Sequence, residues 1–361
     1  MDILKPDFNL FKKNYSLGQR QILYTSFAAD VHTPVSSLIK LEKESYIFLF
    51  ESVEKGSQKG RYSVIGLKPD LIWECKNGIS KIKESNNIIR KKFNSDPLDS
   101  LKKIIEKNKL KIPHSLPSIA CGLFGYLGYE MIKYFENVDM IKKDKLDLPE
   151  SVFIRPSLTL VFDNVNDKLY ISKIISPCQK SALETFKLAQ SEVTNLIKKI
   201  TKPLKKSNLS LHNLSSKVDI FKNVKSNTTY LEFKKMIEKA KNYIFEGEIF
   251  QVVLSRLFKT KIKSSPVSIY RALRHLNPSP YLFFMNFKDF TIVGSSPEIL
   301  IKLEDDKVTI RPIAGTRKRG QTKLEDRKLE KDLLSDPKEI SEHLMLLDLG
   351  RNDISRVTES G

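Results

Sequence analysis

The 361-residue chain is poor in the features that mark secretion, metal clusters and membrane passage. Cysteine is scarce. Cys75, Cys121 and Cys178 are isolated, odd in number and lack metal-ligand spacing, which argues against a disulfide framework and against a zinc site. No apolar run follows Met1-Asp2-Ile3, and no uninterrupted apolar span reaches the ~18 residues a membrane helix needs. A reduced, soluble, cytoplasmic protein is therefore expected, with no membrane partner. The glycines of Cys121-Gly-Leu-Phe-Gly-Tyr-Leu-Gly128 fall at every third position, and no Lys-Ser/Thr pair follows. This is neither a Walker loop nor a dinucleotide fingerprint; close packing of backbone against a sheet is the expected role. No internal repeat is present.

Acidic residues are also in short supply: 43 Asp and Glu face 62 Lys and Arg, a formal net charge of +19. The lysines are spread along the whole chain, and no zinc-finger, helix-turn-helix or aromatic-basic RNA motif accompanies them. Such an excess speaks to solubility, non-specific binding and the steering of an anionic substrate. A basic nucleic-acid-binding protein is the competing reading from a different class. It requires salt-dependent retention with a steep slope, and no specific nucleic-acid partner is expected.

What is present is an ordinary globular composition, 40% hydrophobic and 29% charged. Thr33-Pro34 suits the start of a helix to about Leu41. Tyr46 to Phe50 reads as a buried strand ending in Glu51-Ser52, and Tyr62 to Ile65 as a second. Leu71 to Cys75 and Ile79 to Ile82 flank Asn77-Gly78, a two-residue hairpin turn. Asp96-Pro97 starts a helix carrying Leu98, Leu101 and Ile105 inward. Asn164 to Asp167 closes another hairpin, and Ser181 to about Ile200 is an amphipathic helix. Residues 1–200 form an N-terminal region, the Lys/Ser/Asn-rich stretch 201–228 a linker, and 229–361 a second region.

In that second region Thr229 and Glu232 form a capping box. Ile249 to Phe258 reads as a strand in which Gln251 is a polar residue among apolar ones; a buried amide must be hydrogen-bonded, to structure or to a ligand. Asn277-Pro-Ser-Pro280 leads into a strand, Tyr281 to Met285. Val308 to Gly315 is a further strand, and Gly315-Thr316 offers slim backbone for close approach to an anion. Arg317-Lys318-Arg319 make that turn cationic. Asp336, Pro337 and Glu339 mark a helix start with a capping box. Ile340, Leu344 and Leu347 recur at helical spacing, and Gly350 stops the helix. Glu342 lies inside it; a helical Glu is commonly a solvated residue, but apolar neighbours surround this one. His343 reads as a structural hydrogen-bonder.

Arg311-Pro-Ile-Ala-Gly-Thr-Arg317 followed by Ser341-Glu-His-Leu-Met-Leu-Leu-Asp-Leu-Gly-Arg-Asn-Asp353 closely resembles the chorismate-utilising enzymes, and among them anthranilate synthase component I. Glu51-Ser52, Gly60-Arg-Tyr-Ser63 and Phe250-Gln-Val-Val-Leu-Ser255 fit the same pattern. The resemblance implies an α/β (α+β) fold, a large sandwich of antiparallel sheets flanked by helices, consistent with the hairpins read above. It implies conversion of chorismate and ammonia to anthranilate and pyruvate in tryptophan biosynthesis, with ammonia from a glutamine amidotransferase, component II. It further implies that Gln251, Gly315 and Thr316 are catalytic, with Gly315 and Thr316 on chorismate. Glu342 would ligate Mg²⁺. Ser52, Pro280, Tyr281 and Leu282 would bind the feedback inhibitor L-tryptophan; some members carry Met where Leu282 stands. Ala314 separates subfamilies: many para-aminobenzoate-forming relatives, the alternative reading, carry a nucleophilic lysine there. The family pattern continues beyond Asn352-Asp353 with a second metal-binding Glu. The 361-residue chain alone is accordingly expected to be inactive and poorly folded.

Overall fold

The computed structural model describes residues 4–53, 60–84, 87–93, 96–138, 146–204 and 223–359. In chain order its elements are α1 (Phe8–Ser16), β1 (Gln21–Ala28), α2 (Pro34–Leu41), β2 (Ile47–Glu51), β3 (Tyr62–Lys76), β4 (Ile79–Glu84), β5 (Asn87–Phe93), α3 (Pro97–Lys107), β6 (Phe124–Leu127), β7 (Ser151–Asp163), β8 (Lys168–Ile175) and α4 (Ala182–Thr201). There follow β9 (Lys225–Ser226), α5 (Tyr230–Phe245), β10 (Phe258–Lys259), α6 (Pro266–Leu276), β11 (Tyr281–Asn286), β12 (Thr291–Ser296), β13 (Lys302–Glu304), β14 (Lys307–Thr309), α7 (Lys323–Ser335) and α8 (Pro337–Ser355).

Ten strands form one antiparallel sheet with the path β1-β8-β7-β3-β2-β11-β12, to which β4, β5 and β6 attach. Mixed helix and antiparallel sheet is the architecture the hairpins implied. Asn77 and Gly78 both adopt positive φ (51° and 72°), which turns β3 into β4 with the twist that a hairpin needs. One strand differs from expectation. Tyr62 to Ile65 and Leu71 to Cys75 belong to a single strand, β3, because the irregularity at Pro69/Leu71 bends it without ending it. The glycine-rich segment packs as expected: a Cβ on Gly125 would lie 1.9 Å from the Val152 carbonyl oxygen of β7.

Helix starts follow their caps. Thr33, Asp96, Ser181, Thr229 and Asp336 each accept a backbone N–H from the first turn. In α3, Leu101 and Ile104 are buried and Ile105 is half-exposed, so the inward face lies one residue from where the sequence placed it. Trp73 anchors that helix: it is fully buried on β3, and its Nε1 donates to Ser100 Oγ at 2.9 Å.

The chain divides into two compact units, residues 1–204 with 269–361, and residues 205–268. This division differs from boundaries at 200 and 229, because β11 and β12 join the sheet that begins with β1. The stretch 205–222 of the expected linker lies outside the described residues. In the second unit α5 buries no residue, and Arg256 lies over the Phe233 and Phe258 rings while donating to the Thr228 carbonyl.

Glu150, before β7, is a hub of the larger unit. It accepts from Tyr134 Oη at 2.8 Å, Gly78 N at 3.3 Å, Cys75 Sγ at 3.4 Å and the Lys133 ammonium. Burial opposes its charge, but these donors outweigh burial and hold the carboxyl below its usual range. Burial and the Glu150 carboxylate push the Cys75 thiol up to about 12. A depressed carboxyl stabilises above its unfolded pKa and loses that contribution as pH falls through the folded one. Glu150→Gln should therefore cost about 1–3 kcal/mol near neutral pH. In denaturant titrations across pH, its gap to wild type should narrow below about pH 4.

Candidate active site and regulatory strand pair

The cationic turn sits on the α7–α8 junction. Residues 310–320 have no regular secondary structure, so the strand expected to run to Gly315 ends with β14 at Thr309. The reason is pairing: β14 bonds only three residues of β13, and the chain then lies along helices that offer no ladder. Gly315 lets the backbone lie close to α8: a Cβ there would fall 2.0 Å from Glu339 Oε2 and 3.0 Å from Leu333 Cδ1, and the Glu339 side chain would have to give way. Arg317 binds three carboxylates, with Nε to Asp332 at 2.7 Å, Nη2 to Asp336 at 2.7 Å and Nη1 to Glu339 at 2.9 Å. These bonds raise its pKa, Asp332 foremost. They also explain why Asp336 caps α8 alone: Glu339, expected to complete a capping box, is turned towards Arg317. Arg319 pairs with Asp326 at 2.8 Å, and Lys318 is exposed. Two of the three cations thus tie the turn to its helices.

α8 runs through Gly350 to Ser355, and Arg351, Asn352 and Asp353 lie within it. Gly350 does not stop the helix; a Cβ there would meet Ile310 Cδ1 at 2.2 Å, so it lets the segment after β14 approach closely. Glu342 is half-buried, three residues after Glu339, on the stripe of α8 that faces Gly315. Thr316, next to Gly315, is exposed. A groove of about 470 Å³ follows the same helix one turn further on, lined by Leu300, Ile310, Ile313, Leu346, Gly350 and Ile354 among others, but by neither Thr316 nor Glu342. His343 is exposed and makes no hydrogen bond among the described residues. Glu342 offers a single half-buried carboxylate, the donor type that hard divalent cations prefer. Among the described residues, no three His, Cys, Asp or Glu side chains gather to hold a metal without substrate.

Gln251 lies in the second unit, exposed and without secondary structure. The strand expected over Ile249–Phe258 is reduced to β10, which pairs with β9; Phe250 is 87% and Val253 85% exposed. Apolar β-branched residues form a strand only where a partner edge exists, and the edge that β9 offers is two residues long, with Asn227 beyond it bonding Leu257.

The strand pair β2–β11 brings the remaining predicted residues together. Leu282 faces Glu51 in register, and Val53 N donates to the Ser279 carbonyl at 3.0 Å, so Ser52 runs alongside Pro280 and Tyr281. Ser52 and Pro280 are half-buried, Tyr281 is exposed at the strand start, and Leu282 is 1% exposed. Side chains alternate along a strand, so Leu282 points to the face opposite Tyr281. Ser295 Oγ, donating to the Asn277 carbonyl at 2.7 Å and within 2.8 Å of Ser279 Oγ, fixes the proline-rich turn.

Sequence reading missed the neighbour of Ser52. Glu51 is 5% exposed and accepts from Arg274 Nε at 2.7 Å and from the Tyr270 hydroxyl, both on α6. Burial first, then the Glu51 charge, raise the Tyr270 phenol above its usual range. The available signal was the i, i+4 spacing of Tyr270 and Arg274; nothing local marks Glu51 as their partner.

A chorismate binding enzyme family model matches residues 47–361. Anthranilate synthase component 1 of Cereibacter sphaeroides is 43% identical over 358 residues, covering 98% of this chain and 71% of that protein. The Aquifex aeolicus protein of the same name is 40% identical over 344 residues, covering 94% and 68%. A solved structure of anthranilate synthase component I from Streptococcus pneumoniae superposes with a TM-score of 0.68 at 30% identity, over 92% of this chain and 69% of that one. The menaquinone-specific isochorismate synthase of Escherichia coli, at 16% identity and TM-score 0.60 over 94% and 66%, shares the fold. The chain belongs to the chorismate-binding enzymes. Within them it falls in the anthranilate synthase component I family.

Arg274→Leu, which leaves Glu51 buried beside a single phenol, should lower stability by about 2 kcal/mol in urea titration. Glu51→Gln combined with it should recover part of that loss, because the stranded charge is gone.

Proposed function

We propose that this chain is the chorismate-aminating component of anthranilate synthase, converting chorismate and ammonia to anthranilate and pyruvate. The observation that carries this is the run Ala314-Gly315-Thr316 against α8, in a chain 43% identical to a component 1 over 98% of its length. Gly315 and Thr316 supply a slim backbone and a hydroxyl donor to a substrate carboxylate. Glu342, one turn along the stripe that Gly315 abuts, would hold Mg²⁺, which when bound would supply positive charge against the substrate's carboxylates. Ala314 carries no amine, so no covalent bond to the ring forms at that position; ammonia adds to the ring as its hydroxyl leaves as water, and elimination of the enolpyruvyl group as pyruvate then gives anthranilate. Ammonia comes from a glutamine amidotransferase subunit in the cytoplasm.

Ser52, Pro280 and Tyr281 receive L-tryptophan at the end of β2–β11, with Leu282 supporting the pocket from beneath. Glu51, tied to α6, passes the occupancy of that pocket to the helix.

In the complex isolated from its source cell, chorismate, glutamine and Mg²⁺ should yield anthranilate, identified by fluorescence and chromatography. A para-aminated product, isochorismate, or a preparation with no amidotransferase bound would overturn the reading. Tryptophan should bind in calorimetry, and Ser52→Ala should weaken it by about tenfold, the worth of one good hydrogen bond. Unchanged affinity would remove Ser52 from the pocket.

A further inference from the structure

Away from both of these places, two arginines converge on one amide oxygen. Arg155 on β7 has a side chain only 8% exposed. Its Nε donates to Asp70 Oδ1 at 2.6 Å, and its Nη1 to Asn108 Oδ1. Arg20, just before β1, donates from Nη1 to the same Asn108 oxygen at 2.7 Å and from Nε to Ser176 Oγ at 3.0 Å. Asn108 follows α3, and its Nδ2 donates to the Ile104 carbonyl at 2.7 Å, which fixes the oxygen towards the guanidiniums. Among the described residues, neither Nη2 has a hydrogen-bond acceptor, and Asp70 alone forms an ion pair with the two arginines.

Burial first and then the neighbouring Arg155 charge lower the pKa of Arg20, against the opposing pull of Asp70 and Glu84. Two partly desolvated cations sharing a neutral oxygen repel each other, and an additional anion relieves that repulsion. Both arginines line a cavity of about 360 Å³, with Lys109 at the same wall. The other walls are aliphatic, including Ile105, Leu110, Ile112 and Ile174. Two guanidiniums converging on one oxygen, in a cavity whose remaining lining is largely aliphatic, match a ligand with a single charged group on an apolar body. A phosphate ion would leave the aliphatic walls wet. A neutral apolar molecule would leave Arg20 with no ion-pair partner of its own among the described residues.

We propose that this cavity binds a small monocarboxylate with an apolar body, of the size of a single-ring aromatic acid, its carboxylate held by Arg20 and Arg155.

Cys121 lines the same cavity and is half-buried, whereas Cys178 lies outside it and is exposed, so the two thiols form an internal pair of reporters. The full chain would be alkylated with iodoacetamide, with benzoate as the probe, and each cysteine followed by peptide mass spectrometry. Benzoate should slow alkylation of Cys121 and leave Cys178 unchanged, while phosphate and benzyl alcohol at the same concentration should slow neither cysteine. Arg20→Gln should raise the benzoate needed by about tenfold, the worth of one charge-assisted bond. Ile112→Trp, which fills the cavity and keeps both arginines, should abolish the benzoate effect. Absence of protection in wild type, equal protection by phosphate or benzyl alcohol, or wild-type benzoate response in Arg20→Gln would each overturn the proposal. None of these readouts depends on chorismate chemistry.

Discussion

The antiparallel pairing of β2 with β11 is the constraint on which the larger unit depends. It joins Ile47–Glu51 to residues more than two hundred positions later, Leu282 to Asn286, and so makes one sheet of chain segments that composition alone would assign to separate regions. Closing so long a loop costs little more entropy than closing one half its length. What holds it is burial of Leu49, Leu282, Phe284 and Met285, together with the Glu51–Arg274 ion pair. The same pairing sets Ser52 against Pro280 and Tyr281, so the proposed inhibitor pocket follows from strand register.

The segment around Gly315 obeys a second local constraint, backbone proximity. Gly315 against Glu339 and Gly350 against Ile310 are two places where a methyl group would collide. Together they lay residues 310–316 along α7 and α8, and Arg317 pins the arrangement through three carboxylates. The arginine that looked like a substrate cation from its position is a fastening between helices. That leaves the backbone of Gly315 and the exposed Thr316 free of the Arg317 fastening, with Glu342 on the adjoining stripe of α8.

Local chemistry was legible where the determinants were local. Five helix caps and the Asn77-Gly78 turn all stand where residue type placed them, since each needs only a few consecutive residues. Non-local determinants were not legible. Ile249 to Phe258 has strand composition yet pairs only through Phe258, because a strand requires an edge that its own sequence does not supply. Gly350 has the identity of a helix stop, but tight contact with Ile310 is what selects glycine there. Glu51 looked like part of a motif, and its buried partners on α6 could be found only in three dimensions.

Native-state hydrogen exchange on the full chain, resolved by residue, tests the pairing most directly. The account predicts that the β11 amides exchange with the same opening free energy as those of β2 and β3, as members of one cooperative sheet. Faster, independent exchange of Leu282 to Met285 while β2 and β3 stay protected would show that β11 is not an integral strand, and the register that sets Ser52 beside Tyr281 would fall with it.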